Sequence, residues 1–314
     1  MKLAFVFPGQ GSQKVGMGAD LCEGYKQARE TFDEASEILG FDVAKLSFSG
    51  PAEELDLTVN TQPCLLTASV AVSRVLAADG VLPAFVAGHS LGEYTAAVAA
   101  GALSFSDALK ITRRRAELMQ EAVPAGAGMM AAILGLSGSA VDEVCSGVKN
   151  GYVRAANYNC PGQVVISGET EAVREAMKLV VEKGARKAIP LQVSVPSHSA
   201  LMKGAASRLA EFFLSSGIRI NPPAIPLISN ADAAPVSSAE EVKDALIRQL
   251  SNPVRWKEGL RAVRAVGADA FIEAGPGKVL CGLIKRTLPD CPFFNVEDRP
   301  TLQNTLRALS TLNH

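Results

Sequence analysis

Gly88-His89-Ser90-Leu91-Gly92 stands between two segments of opposite character. Before it, residues 81–87 form a short apolar run that predicts a buried strand. After it, residues 93–100 are rich in alanine and predict a helix, with Gly101 as its stop. A strand that turns into a helix through G-x-S-x-G is the pattern of a nucleophile elbow, a sharp turn that presents a serine hydroxyl. This feature restricts the chain to folds in which strands feed helices, and it nominates Ser90 as a nucleophile. The bland alternative is a tight turn that happens to carry a small residue.

The same alternation runs from residue 2 to about 123 and returns from about 197 onward, with further strands expected at 224–228 and 270–273. It predicts an α/β domain with a mostly parallel sheet. The apolar segment 3–7 ends at Pro8-Gly9 and is too short for a signal-peptide core, so it reads as the first strand. The middle of the chain differs. Strands are expected at 129–136, 152–157, 163–167 and 186–193, and helices at 140–148 and 171–183. That order, β-α-β-β-α-β, is the split βαβ of a ferredoxin-like unit. The expected organisation is a discontinuous large domain, 1–124 and 194–314, with a small domain, 125–193, inserted in it. A cleft between the two is a natural place for a site.

Composition excludes several classes. A net charge of -1 argues against non-specific nucleic-acid binding. No apolar run approaches the length of a membrane-crossing helix. Six scattered cysteines without a C-x-x-C pair suggest reduced, mostly buried thiols in a cytoplasmic protein rather than zinc ligands or a disulfide framework. With three histidines in the whole chain, histidine-rich metal chemistry is not expected.

A serine nucleophile needs a base. His89 adjoins Ser90 on the elbow, where its side chain is expected to point away, and reads as a packing or hydrogen-bonding residue. His198, in Val195-Pro196-Ser197-His198-Ser199, is the histidine left to serve as general base. Attack also builds an oxyanion that needs donors. The Leu91 N–H, just after the nucleophile at a helix N-terminus, is one. The glycine-rich loop after the first strand, Pro8-Gly9-Gln10-Gly11-Ser12-Gln13, offers the second, assigned to the Gln10 N–H. That loop fails the dinucleotide fingerprint, because Lys14 stands where a third glycine belongs. Gly275-Pro276-Gly277-Lys278 lacks the upstream glycine of a P-loop and reads as a strand-to-helix turn.

Residues 106–123 predict a helix with apolar positions at Ala108, Ile111, Leu118, Met119 and Ala122. Arg115 falls on that apolar stripe, while Arg113 and Arg114 turn toward the polar side. A buried charge requires a partner. The structural possibilities are a carboxylate or a set of backbone carbonyls; the functional one is a substrate carboxylate held by the planar guanidinium. The helical phase does not choose between them.

These motifs, in this order, resemble the malonyl-CoA:acyl carrier protein transacylases over essentially the whole chain. The resemblance is carried by Phe5-Val6-Phe7-Pro8-Gly9-Gln10-Gly11-Ser12-Gln13, by Gly88-His89-Ser90-Leu91-Gly92-Glu93-Tyr94, and by the stretch from Arg115 to Pro124. It continues through Asn159-Cys160-Pro161-Gly162-Gln163, Val195-Pro196-Ser197-His198-Ser199, Asn252-Pro253-Val254-Arg255-Trp256 and Glu273-Ala274-Gly275-Pro276-Gly277. The resemblance implies an α/β-hydrolase-like large domain with a ferredoxin-like insert. It implies Ser90 as nucleophile, His198 as base, Arg115 on the malonyl carboxylate, and the Gln10 and Leu91 amides as oxyanion hole. It also implies that a backbone carbonyl, that of Gln249, orients the histidine in place of an aspartate. The implied reaction is ping-pong transfer from malonyl-CoA to holo acyl carrier protein by a cytoplasmic monomer that needs no metal or redox cofactor. Because carrier proteins of this family are acidic, Arg248, Arg255, Lys257, Lys285 and Arg286 are candidates for a basic rim. Rival readings are a serine thioesterase or esterase, a non-catalytic carrier-binding module, and an acyltransferase serving a polyketide pathway.

Overall fold

The computed structural model describes residues 1–124, 126–191 and 195–312. Its strands, in chain order, are β1 Leu3–Phe7, β2 Phe85–Gly88, β3 Gly128–Leu134, β4 Val153–Cys160, β5 Gln163–Glu169, β6 Lys187–Pro190, β7 Leu227–Ile228, β8 Pro235–Val236, β9 Ala270–Ala274 and β10 Phe293–Val296. They form a six-stranded sheet, ordered β10-β9-β1-β2-β7-β8, and a four-stranded sheet, ordered β4-β5-β3-β6. In the first sheet β7 and β8 pair antiparallel, and the other neighbours are parallel.

A parallel sheet must be covered on both faces, and β1 shows how the sequence meets that demand. Leu3, Phe5 and Phe7 join one apolar cluster, while Ala4 and Val6 join another on the opposite face. The first cluster is filled by helices Lys26–Leu39, Thr58–Ala78 and Phe105–Glu121. The second is filled by helices Trp256–Ala265 and Val279–Thr287.

Two strands are shorter than their apolar runs suggest. Within 81–87 the strand begins only at Phe85, with the Ala84 N–H already donating to the Leu3 carbonyl, because Gly80 turns the chain at φ 77° and the Val81 N–H bonds back to the Leu76 carbonyl. Pro83 then has no N–H to offer a neighbour. In 224–228 only Leu227 and Ile228 form strand, and Pro226 likewise lacks a donor.

The four-stranded sheet is antiparallel throughout. Its strands and helices Gly138–Gly147 and Thr170–Glu182 follow the expected split-βαβ order. Residues 192 and 193, at the end of the expected last strand, lie outside the described residues. One face of this sheet packs Ala131, Ile133, Ala155 and Ile166 against the two helices. The other carries Met130, Ala132, Ala156 and Val165, and there the sheet faces the large one. The backbone joins the two parts directly: Tyr158 N–H donates to the Val254 carbonyl at 2.9 Å, and Val254 N–H to the Ala156 carbonyl at 2.8 Å. Between them, at the carboxyl ends of β1 and β2, lies a cavity of about 320 Å³. That is where ligands collect in open parallel sheets.

Candidate active site

β2 ends at Gly88, and helix Gly92–Ala99 begins four residues later. Ser90 makes the turn at φ 51°, a left-handed conformation that a non-glycine residue seldom adopts. Both flanking glycines are required for steric reasons. A Cβ on Gly88 would lie 1.9 Å from the carbonyl of Gly92, and one on Gly92 would lie 2.1 Å from the Phe7 carbonyl oxygen of β1. The G-x-S-x-G spacing thus allows the turn to close and to press against the neighbouring strand. Asn230, just beyond β7, staples the turn: its Oδ1 accepts the Ser90 N–H at 2.8 Å, and its Nδ2 donates to the Gly88 carbonyl at 2.6 Å.

Ser90 Oγ lies 2.8 Å from His198 Nε2, across 108 residues of sequence. The other ring nitrogen of His198, Nδ1, lies 2.8 Å from the backbone carbonyl of Gln249. A carbonyl only accepts, so Nδ1 carries the hydrogen and Nε2 is left with its lone pair toward the serine hydroxyl. His198 is buried, and burial together with the nearby Arg115 charge pushes its pKa down to about 3. The imidazole is therefore neutral at ordinary pH.

Arg115, on helix Phe105–Glu121, is only 1% exposed. Its Nη1 donates to Gln62 Oε1 at 2.7 Å, and its Nη2 donates to Gln249 Oε1 at 2.8 Å and to Ser90 Oγ at 3.2 Å. The ring of Tyr94 lies 5.3 Å from the guanidinium carbon. The two structural partners expected for this charge, a carboxylate or backbone carbonyls, are both absent among the described residues. Neutral side-chain amides take their place, and Nε has no protein partner. A cation buried among dipoles remains short of a counter-charge.

Gln10, Leu91, Ser90, His198 and Arg115 all line the one cavity. Among the described residues neither the Gln10 nor the Leu91 N–H has a protein acceptor, whereas the Gly92 N–H is taken by His89 O and the Glu93 N–H by Ser90 O. His89 faces elsewhere: its Nε2 pairs with Asn159 Oδ1 at 2.9 Å, and its ring meets Trp256 edge-on. The segment 275–278 links β9 to helix Val279–Thr287 as a turn. Of the five rim candidates, Arg248 is matched by Asp232 and Asp244, and Lys257 by Glu258. Arg255, Lys285 and Arg286 make no ion pair among the described residues, and Arg286 instead donates to Gln163 Oε1 at 3.1 Å. Among the described residues no three His, Cys, Asp or Glu side chains are grouped as metal ligands, and no helix is long and apolar enough to cross a membrane.

Three polar residues of this site were not predicted from the sequence: Gln62, Asn230 and Glu93. Glu93 alone left a trace there, as a single charge in an alanine-rich helix that turns out to be wholly buried.

A serine on a strained turn, hydrogen-bonded to a neutral histidine beside two open amides, is the equipment of an acyl-transferring enzyme, and residues 4–306 match the family described as the acyl transferase domain. The malonyl CoA-acyl carrier protein transacylase of Bacillus subtilis (strain 168) is 48% identical to the chain over 99% of it and 98% of the relative. That of Escherichia coli (strain K12) is 50% identical over 91% of the chain and 92% of the relative. The chain belongs to the malonyl CoA-acyl carrier protein transacylase family. Among solved structures, an acyl carrier protein S-malonyltransferase from Vibrio cholerae superposes with a TM-score of 0.94 at 49% identity, covering 97% of this chain and all of the other. A malonyl-transacylase in complex with a type II PKS acyl-carrier protein gives 0.95 at 46% identity, covering 98% of this chain and all of the other.

Proposed function

We propose that this chain moves the malonyl group from malonyl-CoA to the phosphopantetheine thiol of acyl carrier protein, through a malonyl ester on Ser90. The observation that carries this reading is Arg115: a buried cation without a carboxylate partner, 3.2 Å from the serine oxygen. A free acyl carboxylate supplies the missing counter-charge, and it does so within reach of the reacting atom.

Ser90 Oγ attacks the thioester carbonyl while His198 Nε2 takes the hydroxyl proton. The developing oxyanion is received by the Gln10 and Leu91 N–H groups. The tetrahedral intermediate collapses, the C–S bond breaks, and the sulfur leaves as CoA thiol with the proton from His198. In the second half-reaction the carrier thiol gives its proton to His198 and attacks the ester carbonyl. Ser90 Oγ leaves and recovers the proton. The Gln249 carbonyl holds the imidazole in one tautomer throughout. The apolar strip Met130, Ala132 and Val165 lines the same cavity as a wall for the uncharged part of the pantetheine arm.

The large and small domains are read as 1–124 with 194–314, and 125–193. The protein is read as a cytoplasmic monomer; its six free, buried cysteines accord with a reducing compartment. Supply of an extender unit for fatty acid synthesis is the biological role that accords with the names of the relatives.

The test is the intact mass after brief exposure to malonyl-CoA, with Ser90→Ala as control. A malonyl adduct on the wild type alone, cleared by holo acyl carrier protein, is expected. Equally fast loss without carrier protein makes the chain a hydrolase, and no adduct with CoA unreleased overturns the reading.

A further inference from the structure

Glu93 is a buried carboxylate joined to the site through the Gln249 side chain, and the mechanism gives it no task. It is fully buried on the first turn of the helix that follows the elbow. Both of its oxygens accept. Oε1 takes the Asn230 N–H at 3.1 Å, and Oε2 takes Gln249 Nε2 at 2.6 Å. The same Nε2 donates to the Ser90 carbonyl at 2.8 Å. With its nitrogen held by two acceptors, the Gln249 amide has a single orientation, and its Oε1 faces Arg115 Nη2.

We propose that Glu93 is a positioning residue for acyl-group selection: by fixing the Gln249 amide, it keeps an oxygen against Arg115 and holds the guanidinium where a carboxylated acyl group can reach it. The inference rests on the reading that Arg115 binds that carboxylate. The argument is one of donors and acceptors. A carboxylate accepts at both oxygens, whereas an amide accepts at one and donates at the other. In Glu93→Gln one neighbour must meet a donor. The Asn230 N–H belongs to the backbone and cannot turn away, but the Gln249 amide can flip. The flip places its NH2 against the guanidinium and its oxygen against the Ser90 carbonyl, so Arg115 loses an acceptor and gains a repulsive neighbour. The backbone carbonyl of Gln249, which meets His198, is not part of the flipping group.

Acyl-enzyme formation is measured for Glu93→Gln with malonyl-CoA and with acetyl-CoA, which has no carboxylate. The malonyl-to-acetyl ratio of kcat/KM is expected to fall about tenfold to a hundredfold, the worth of one hydrogen bond to a charged group, chiefly through KM for malonyl-CoA. Equal losses for both donors, or no loss, overturn the proposal. Gln249→Leu removes the relay from its other end with Glu93 in place; it is expected to lower the same ratio, and an unchanged ratio overturns the proposal even if Glu93→Gln does not fold. Arg115→Ala in the same assay separates the two ideas. If it leaves the ratio intact, the carboxylate reading itself fails. If it lowers the ratio and the two other variants do not, only the role of Glu93 fails.

Discussion

β2 and β9 lie on either side of β1, and each passes through a glycine-containing turn into a helix. The two turns treat the helix N-terminus in opposite ways. After β9, the carboxylate of Glu273 occupies it, accepting the Leu280 N–H at 3.1 Å and the Cys281 N–H at 2.7 Å. After β2, the nearest carboxylate, Glu93, faces side chains and loop backbone instead, and the Leu91 N–H has no acceptor among the described residues. Every helix start is a potential anion site. This fold fills one with its own glutamate and leaves the other facing a cavity beside Ser90, the proposed nucleophile. Chemistry is located by which terminus is left open, not by which terminus exists.

The sharpest way to break the comparison is to remove the hydroxyl at the open turn. Ser90→Ala is expected to lower malonyl transfer by about 10⁴- to 10⁶-fold, with no acyl adduct by mass. A residual rate within tenfold of wild type would mean that the open turn is not the reacting one. The next test contrasts the glycines of the two turns. A Cβ on Gly92 meets backbone at 2.1 Å, so Gly92→Ala is expected to cost more than about 4 kcal/mol or to prevent folding. A Cβ on Gly277 meets nothing nearer than 3.9 Å, and only its φ of 83° opposes a side chain. Gly277→Ala is therefore expected to cost about 1–2 kcal/mol. Thermal or denaturant unfolding reads both, and equal losses would contradict the packing argument.

Arg115→Ala comes third. Malonyl transfer is expected to fall about 100-fold or more, while use of acetyl-CoA relative to malonyl-CoA rises. Unchanged selectivity in a competition assay would sink this assignment. The smallest effect concerns pH. The folded pKa of His198, about 3, lies below its ordinary value of 6.5, so the unfolded chain binds the proton first as pH falls. The contribution is complete above pH 6.5 and is lost as pH drops toward 3. Wild type is thus expected to lose stability relative to His198→Gln between pH 7 and 4. A stability difference that is flat with pH would contradict the neutral, desolvated imidazole.

Legibility in the sequence follows the range of the interactions. The elbow is local: five residues and two flanks carry its conformation, and the steric demand on Gly88 and Gly92 is written in the motif. The burial of Arg115 is legible because helical phase is local too. Its partners are not, because Gln62 and Gln249 lie 53 and 134 residues away. Gln62 lies on a helix whose neighbouring residues are mostly small or apolar, and Asn230 lies in a loop after a two-residue strand. Polar side chains at such places acquire meaning only when the sheet order brings them together. The same holds for the boundaries that proline shortened: an apolar run reports burial, while the strand ends where a donor is missing.

The undercompensated Arg115 carries a consequence for anyone altering this protein without an activity screen. A buried cation whose direct hydrogen-bond partners are all neutral burdens the fold, and an apolar side chain of similar length relieves that burden. Arg115→Met is therefore the kind of substitution that selection for heat tolerance alone would favour, and, on the proposed reading of Arg115, it would discard the group that tells one acyl donor from another. On that reading the fold keeps a residue that costs it stability because the acyl group, and not the protein, supplies the counter-charge.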